Sequence, residues 1–432
     1  MALGRGGGEG GARDAPDGVQ AGRGGRKGKD GRKRKGLGHR LTVAKELTKK
    51  GGEILDAKIT QARTESRKVI KREGMTVHRM MQFAVFFTVF TLIYLLINYY
   101  VVSRLGGTLG LSRTRFLYAA LLLTLTFPVA QLIERYLANR FSRLLYILAS
   151  IWMGVLFFLF VTVVAYEVLG LFLALPARES GLFILAFVAI LSLGALINNL
   201  FVTVKSVEIP IPGLQRETRL VQLSDIHYGT IRNSAFLKRI VRATNALNAD
   251  AVLVTGDLVD GSAPMHPGMF DELNRLEAPA YYVTGNHEEY EGVDDVFAIL
   301  SSTNLRILSD SKEDFGGLQI VGVDYSYDKR RLEKVLPTLS IDRNRPAILL
   351  YHVPEGAEQA RQNGISLQLS GHTHDGQLFP FNFLVRLAFK NVKGLYDFGA
   401  MKLYVSPGTS TWGPPMRLGS RNEITLLDLK PA

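Results

Sequence analysis

The chain has 432 residues, 47% hydrophobic and 21% charged, with a formal net charge of +13 and no cysteine. That length holds two or three domains, and the missing thiols exclude disulfides, thiolate metal sites and cysteine nucleophiles while leaving the compartment open. Met1–Met80 carry 21 Lys and Arg against 9 Asp and Glu, whereas from Thr203 onward 24 basic residues face 27 acidic ones; the C-terminal half has no cationic footprint, and nucleic acid is not an expected partner.

Residues 1–40 contain 14 glycines and the basic run Arg32-Lys33-Arg34-Lys35. Such a segment buries no core, which predicts a disordered tail, either solvated or drawn to anionic surfaces. No apolar stretch follows the early arginines there, so no cleavable leader is expected. In residues 41–81, Leu47, Ile54, Leu55, Ile59, Ala62, Val69 and Ile70 recur at helical spacings among Lys and Arg. The spacing predicts a basic amphipathic helix over Leu41–Glu73. Its partner is either the layer of anionic lipid headgroups, at roughly 1 kcal/mol per nearby basic residue, or a second copy of the same stripe.

Residues 82–202 hold four uncharged apolar runs: Gln82–Val102, Phe116–Ile133, Leu144–Val164 and Leu182–Val202. Each is close to the ~20 residues that cross a hydrocarbon core, which predicts four transmembrane helices in a lipid bilayer. Pro128 can kink the second, and no charge inside the runs suggests a transport path. Six Lys and Arg from Arg63 to Arg79 precede the first run, so the N-terminus is expected in the cytoplasm, with the C-terminal domain returned there by four crossings. The first two loops are equally basic and weigh against that orientation.

Residues 203–432 change to an alternation of short apolar strands and helices, an α/β domain. Strands are expected at Leu220–Leu223, Ala251–Thr255, Tyr281–Val283, Leu318–Val323, Ala347–Tyr351, Leu367–Leu369, Leu403–Val405 and Ile424–Leu429, with helices at Phe236–Leu247 and Val293–Leu300. The polar residues fall at strand ends. Asp225-Ile226-His227, Gly256-Asp257, Gly285-Asn286-His287-Glu288, His352 and Gly371-His372-Thr373-His374 each follow a predicted strand. The carboxyl edge of an α/β sheet is where such folds build sites. Of the eight histidines, five lie in these clusters, leaving His39, His78 and His266 for surface roles.

Each motif alone reads as something plainer. Asp-x-His and Gly-Asp occur in turns, Gly-Asn-His-Glu can start a helix with Asn as its cap, and His-x-His can be two surface histidines. In an extended segment, however, residues i and i+2 point the same way, so His372 and His374 can address one volume, between the permissive Gly371 and Gly376. Five independent turns do not explain the ordered set. Asp225, His227, Asp257, Asn286, His352, His372 and His374 are therefore candidate metal ligands. Oxygen and imidazole without thiolate suit Mn first, with Fe or Zn as alternatives. Seven ligands exceed one tetrahedral ion, which predicts two divalent metal ions sharing one Asp. Such a pair, roughly 3.5–4 Å apart, acidifies a water and stabilises attacking and leaving oxygens, the chemistry of phosphoester hydrolysis.

The ordered motifs, with Gly256-Asp257-Leu258-Val259-Asp260, Gln222-Leu223-Ser224, Ser406-Pro407-Gly408 and Trp412-Gly413-Pro414, resemble the calcineurin-like metallophosphoesterases over roughly Val207–Leu429. The closest likeness is to the membrane-associated bacterial branch and to transmembrane proteins carrying this domain. The resemblance implies a four-layer α-β-β-α sandwich, here preceded by the four-helix transmembrane region, in a bacterial inner or plasma membrane. It assigns Asp225, His227 and His374 to one metal, Asn286, His352 and His372 to the other, and Asp257 as the bridge. His287 would protonate the leaving oxygen or orient the phosphate. Asp375 departs from the branch, which often has Gly there, and would either support His374 or repel an anionic substrate. Asp260 and Glu288 are expected to support the ligands.

The expected activity is a membrane-anchored phosphohydrolase acting on a phosphodiester or pyrophosphate by attack of a metal-activated hydroxide, with a phosphorylated lipid or lipid-linked nucleotide as substrate. Phe379–Val385 and Leu387–Phe389 supply an apolar stretch that serves either lipid approach or ordinary packing. A phosphoprotein phosphatase, which would need an open groove, is the second enzyme reading. A non-catalytic membrane scaffold or sensor is the third, and lost ligands would be its signature.

Overall fold

The computed structural model describes residues 77–432 apart from positions 109 and 111. The expected tail and the amphipathic helix over Leu41–Glu73 lie outside the described residues. Helices α1 (Val77–Thr108), α2 (Arg113–Leu137), α3 (Arg140–Gly170) and α4 (Ala177–Asn199) come first. All four are long and apolar enough to cross a membrane. Helix α2 runs through Pro128. Between α2 and α3 the turn is tight because Ala138 takes φ 41° and the Asn139 side chain accepts the amide protons of Phe141 and Ser142, satisfying donors that a helix start leaves unpaired. Tyr94, Val101, Leu156, Val163, Val188 and Ala195 pack between α1, α3 and α4. The expected fourth run continues to Val202, but α4 stops at Asn199. The chain is needed there for sheet pairing.

Strand β1 (Val202–Ile211) pairs in parallel with β12 (Asn422–Pro431), from Val202 opposite Asn422 to Ile211 opposite Pro431. Between them run β2 (Thr218–Leu223), α5 (Ser234–Asn245), β3 (Ala251–Thr255), β4 (Ala280–Val283), α6 (Asn286–Glu291), α7 (Val293–Leu300), β5 (Arg306–Ile307), β6 (Ser311–Phe315) and β7 (Leu318–Gly322). They are followed by α8 (Arg331–Val335), β8 (Ala347–Leu350), α9 (Ala357–Gln362), β9 (Leu367–Ser370), α10 (Phe381–Ala388), β10 (Gly394–Asp397) and β11 (Lys402–Val405). Two six-stranded sheets result, ordered β1-β12-β2-β3-β4-β5 and β10-β11-β9-β8-β7-β6. Runs such as Ala251–Thr255 and Ala347–Leu350 are wholly buried, as parallel strands covered on both faces must be.

The sheets face each other through Leu220, Leu253 and Val283 on one side and Ile320, Ile348 and Leu369 on the other. Each such side chain contributes roughly 1.5–3 kcal/mol by its burial. Phe236, Leu237 and Ile240 of α5 and Val296 of α7 cover the outer face of the first sheet. Leu332 of α8 and Ala357 and Ala360 of α9 cover the second, which completes helix, sheet, sheet, helix. Strands β1, β5, β6 and β10 were not among the expected elements. All but the two-residue β5 carry polar or charged residues in a way that hides an apolar run, as in Ser311-Lys312-Glu313-Asp314-Phe315.

The helical and sheet regions share specific contacts. Arg135 at the end of α2 meets Glu291 at 2.8 Å, and the Thr230 hydroxyl donates to the buried Glu134 at 3.0 Å. The Asn198 amide donates to the carbonyls of Arg417 and Ser420, while the Arg417 backbone N–H donates to the Ala195 carbonyl at 3.0 Å.

Candidate metal centre

Parallel strands end together, so the residues that follow β2, β3 and β4 of one sheet and β8 and β9 of the other meet at one end of the sandwich. Asp225, His227, Asp257, His372 and His374 all have positive φ, between 49° and 71°. A non-glycine residue in that region costs of order 1 kcal/mol or more and persists where its surroundings hold it. What they gain is direction, because the turn aims each side chain back over the strand ends. Glycine is required where the aspartate side chains press on the backbone: a Cβ on Gly285 would stand 2.2 Å from Asp257 Oδ1, and one on Gly371 would stand 2.2 Å from Asp225 Oδ2.

Two groups of donor atoms converge. Around the first, His227 Nε2 lies 3.1 Å from His374 Nε2, and Asp225 Oδ1 lies 3.4 Å from His374 Nε2. Around the second, His352 Nε2 is 3.2 Å from both Asn286 Oδ1 and His372 Nδ1. Asp257 Oδ2 serves both, at 3.2 Å from His352 Nε2 and 3.8 Å from His227 Nε2. Asp225 with His227 and His374, and Asp257 with His352 and His372, form groupings that can hold a metal ion. A third grouping joins His287 to His227 and Asp257, so His287 is as close to the centre as the candidate ligands.

The surrounding hydrogen bonds orient these atoms. His352 Nδ1 faces the Thr255 carbonyl at 2.8 Å, which leaves Nε2 turned to the centre. Asp257 Oδ1 accepts the His287 amide at 2.9 Å and leaves Oδ2 inward. Ser224 donates to Asp225 Oδ2 at 2.6 Å. Glu288, fully buried, accepts from the amides of Asp257, Leu258, Val259 and Gly285. His287 Nδ1 faces the Asp260 carbonyl at 3.1 Å, and its ring stands edge-on to His227 with centroids 4.6 Å apart.

Electrostatics follow from burial and crowding. Burial holds His227, His372 and His374 below the usual histidine range, with help from His287, His352 and His227 respectively; His372 is lowered to about 4. Neutral rings with lone pairs are what a cation takes. Burial opposes charge on His352 too, but the Asp257 carboxylate outweighs it and lifts His352 to about 10. Burial would likewise raise Asp257, yet His352 and His287 hold it well below the usual carboxylate range. Asp225 is pushed up to about 6 by burial, against the pull of His352. The chemistry of this donor set fits two divalent cations: imidazole nitrogens face each other and carboxylate oxygens across distances that a shared positive charge relieves.

Arg417 was missed in the sequence. Its fully buried guanidinium donates to the carbonyls of His374, Pro407 and Ser410 and to Asn422 Oδ1. A lone arginine in a Pro- and Gly-rich loop gives no signal of this. Asp375 meets Lys393 at 2.9 Å, so its carboxylate is balanced where repulsion of an anion was one expectation. Trp412 and Tyr290 stand beside His287, with ring centroids at 6.1 and 5.3 Å.

Comparison with known proteins extends the geometry. Residues 218–376 match the model of the calcineurin-like phosphoesterase family. An uncharacterized metallophosphoesterase of Campylobacter jejuni is 32% identical over 375 residues, covering 81% of this chain and 99% of the relative. One from Helicobacter pylori is 35% identical over 237 residues, 53% of this chain and 64% of its own length. A Bos taurus transmembrane protein with metallophosphoesterase domain is 38% identical over 256 residues, 53% of this chain and 57% of its own length.

Proposed function

The chain belongs to the calcineurin-like metallophosphoesterases, hydrolases of phosphoric esters, and from that premise we propose that it is a membrane-anchored phosphohydrolase cleaving a phosphodiester or pyrophosphate bond. The observation that carries the reading is the common reach of Asp257 Oδ2 toward His352 and His227. Asp225, His227 and His374 would hold one divalent ion and Asn286, His352 and His372 the other, with Asp257 placed to serve both. Mn is the proposed metal. When bound, the two ions supply the charge that acidifies the attacking water and neutralises the phosphoryl oxygens.

The rest falls to side chains of this protein. With Nδ1–H turned to the Asp260 carbonyl, His287 presents Nε2 to the leaving oxygen, and in its doubly protonated form it hands over the Nε2 proton and is left as the neutral ring. Ser224 and the amides of His287 and His372 restrain the two aspartates, so the donor atoms are in place before substrate arrives. The substrate we propose is a phosphorylated lipid or lipid-linked nucleotide, supported by the helices long enough to span a membrane. The N-terminus and the site are proposed to face the cytoplasm. The test is hydrolysis of bis-p-nitrophenyl phosphate by the full chain, stripped of metal and titrated with Mn. Mn-dependent turnover in wild type that is lost in Asp257→Asn is expected. Turnover indifferent to Mn, or retained in the variant, contradicts the proposal.

A further inference from the structure

Helix α10 leaves the histidine turn directly and none of its side chains is buried. Its polar residues, Asn382 and Arg386, are four apart and share one face; Phe381, Phe383, Leu384 and Leu387 are exposed, Leu387 at 85%. A helix apolar over most of its circumference needs a nonaqueous neighbour. Its position says which one. The Phe381 ring stands edge-on to Phe157 at 6.1 Å, and Phe157 lies at the middle of α3 (Arg140–Gly170). Beside it, Gly154 of α3 faces Met416 and Pro414, and Leu378 and Met416 join the core of the spanning helices. The exposed side of α10 is therefore level with the middle of α3, a helix long and apolar enough to cross a membrane. Beyond its C-terminal end comes Lys390, a cation that can reach lipid phosphates from an apolar depth.

The same helix touches the metal centre at both ends. Gly376, next to His374 and Asp375, packs on Asn382 so closely that a Cβ there would lie 2.3 Å from its Cα. Phe389, which ends α10, stands edge-on to His372 at 5.4 Å. We infer that α10 is a lip of the site embedded in the acyl layer of the bilayer, along which a lipid-borne phosphoester keeps its chain while its head reaches the histidines. The path for substrate rests on the phosphohydrolase reading above; the embedding of α10 does not.

The chain has no cysteine, so Leu387→Cys in the full protein takes a single nitroxide label. In phosphatidylcholine–phosphatidylglycerol vesicles, this label should collide with oxygen and be shielded from a water-soluble nickel chelate. A label at Gln362→Cys, an exposed position on the outer side of α9, should show the reverse. A Leu387 label open to nickel, or hidden from both as at a protein contact, overturns the embedding. In the same vesicles, Leu384→Glu with Leu387→Glu should lower kcat/KM for hexadecyl p-nitrophenyl phosphate about tenfold or more, with bis-p-nitrophenyl phosphate changed less than about twofold. Equal losses on both esters, or none, overturn the substrate path. A wild-type protein that hydrolyses neither ester refutes the phosphohydrolase reading and the path with it, while the label still decides the embedding.

Discussion

His287 and Glu288 are adjacent and divide two tasks that their motif does not separate. His287→Ala removes a ring that touches the centre without supplying any of the restraints on Asp257, since the bond to Asp257 Oδ1 comes from its backbone amide. Metal content should stay at the wild-type level while kcat falls by roughly 100-fold or more; metal analysis after dialysis separates this from a ligand role, which an emptied site would reveal. Glu288→Ala strips four buried amides of their acceptor, a cost on the order of 3 kcal/mol or more. Thermal denaturation of the full chain in detergent should show the loss, and a variant as stable as wild type contradicts the account. The candidate ligands were legible because their chemistry is unusual and because each follows its own apolar run. Arg417 was not, because its work is done through backbone carbonyls, which any sequence has.

Among the elements, the buried parallel strands were readable to within a residue or two, since burial on both faces leaves no room for polar side chains. The exposed or edge strands β1, β6 and β10 were not, because half their positions answer to solvent. The loop between β11 and β12 unites the two regions of the molecule: Arg417 holds the His374 carbonyl with its guanidinium and Ala195 of α4 with its amide. Arg417→Met should weaken Mn binding at the His227–His374 group about 10- to 100-fold, leaving the group of Asn286, His352 and His372 less affected. Calorimetric titration resolves the two events. Equal weakening of both, or none, denies Arg417 a positioning role.

At the scale of the molecule, the apolar runs showed four long helices and the strand-end clusters showed one site, but the sequence carried no sign that the two regions touch. Glu134, Arg135, Asn198 and Asn199 all bond to the α/β region, and Met416 and Leu378 lie in the helical core. Residues 203–432 alone should therefore melt at a lower temperature than the full chain and self-associate in light scattering. A monodisperse fragment with the full chain's melting temperature contradicts that interdependence. The central claim is that Asp257 joins two metal positions at the strand ends. Its most direct test is the number of Mn ions retained per full-length chain after equilibrium dialysis, in wild type and in Asp257→Asn. Two ions in wild type and at most one in the variant are predicted; two ions in both would contradict the account.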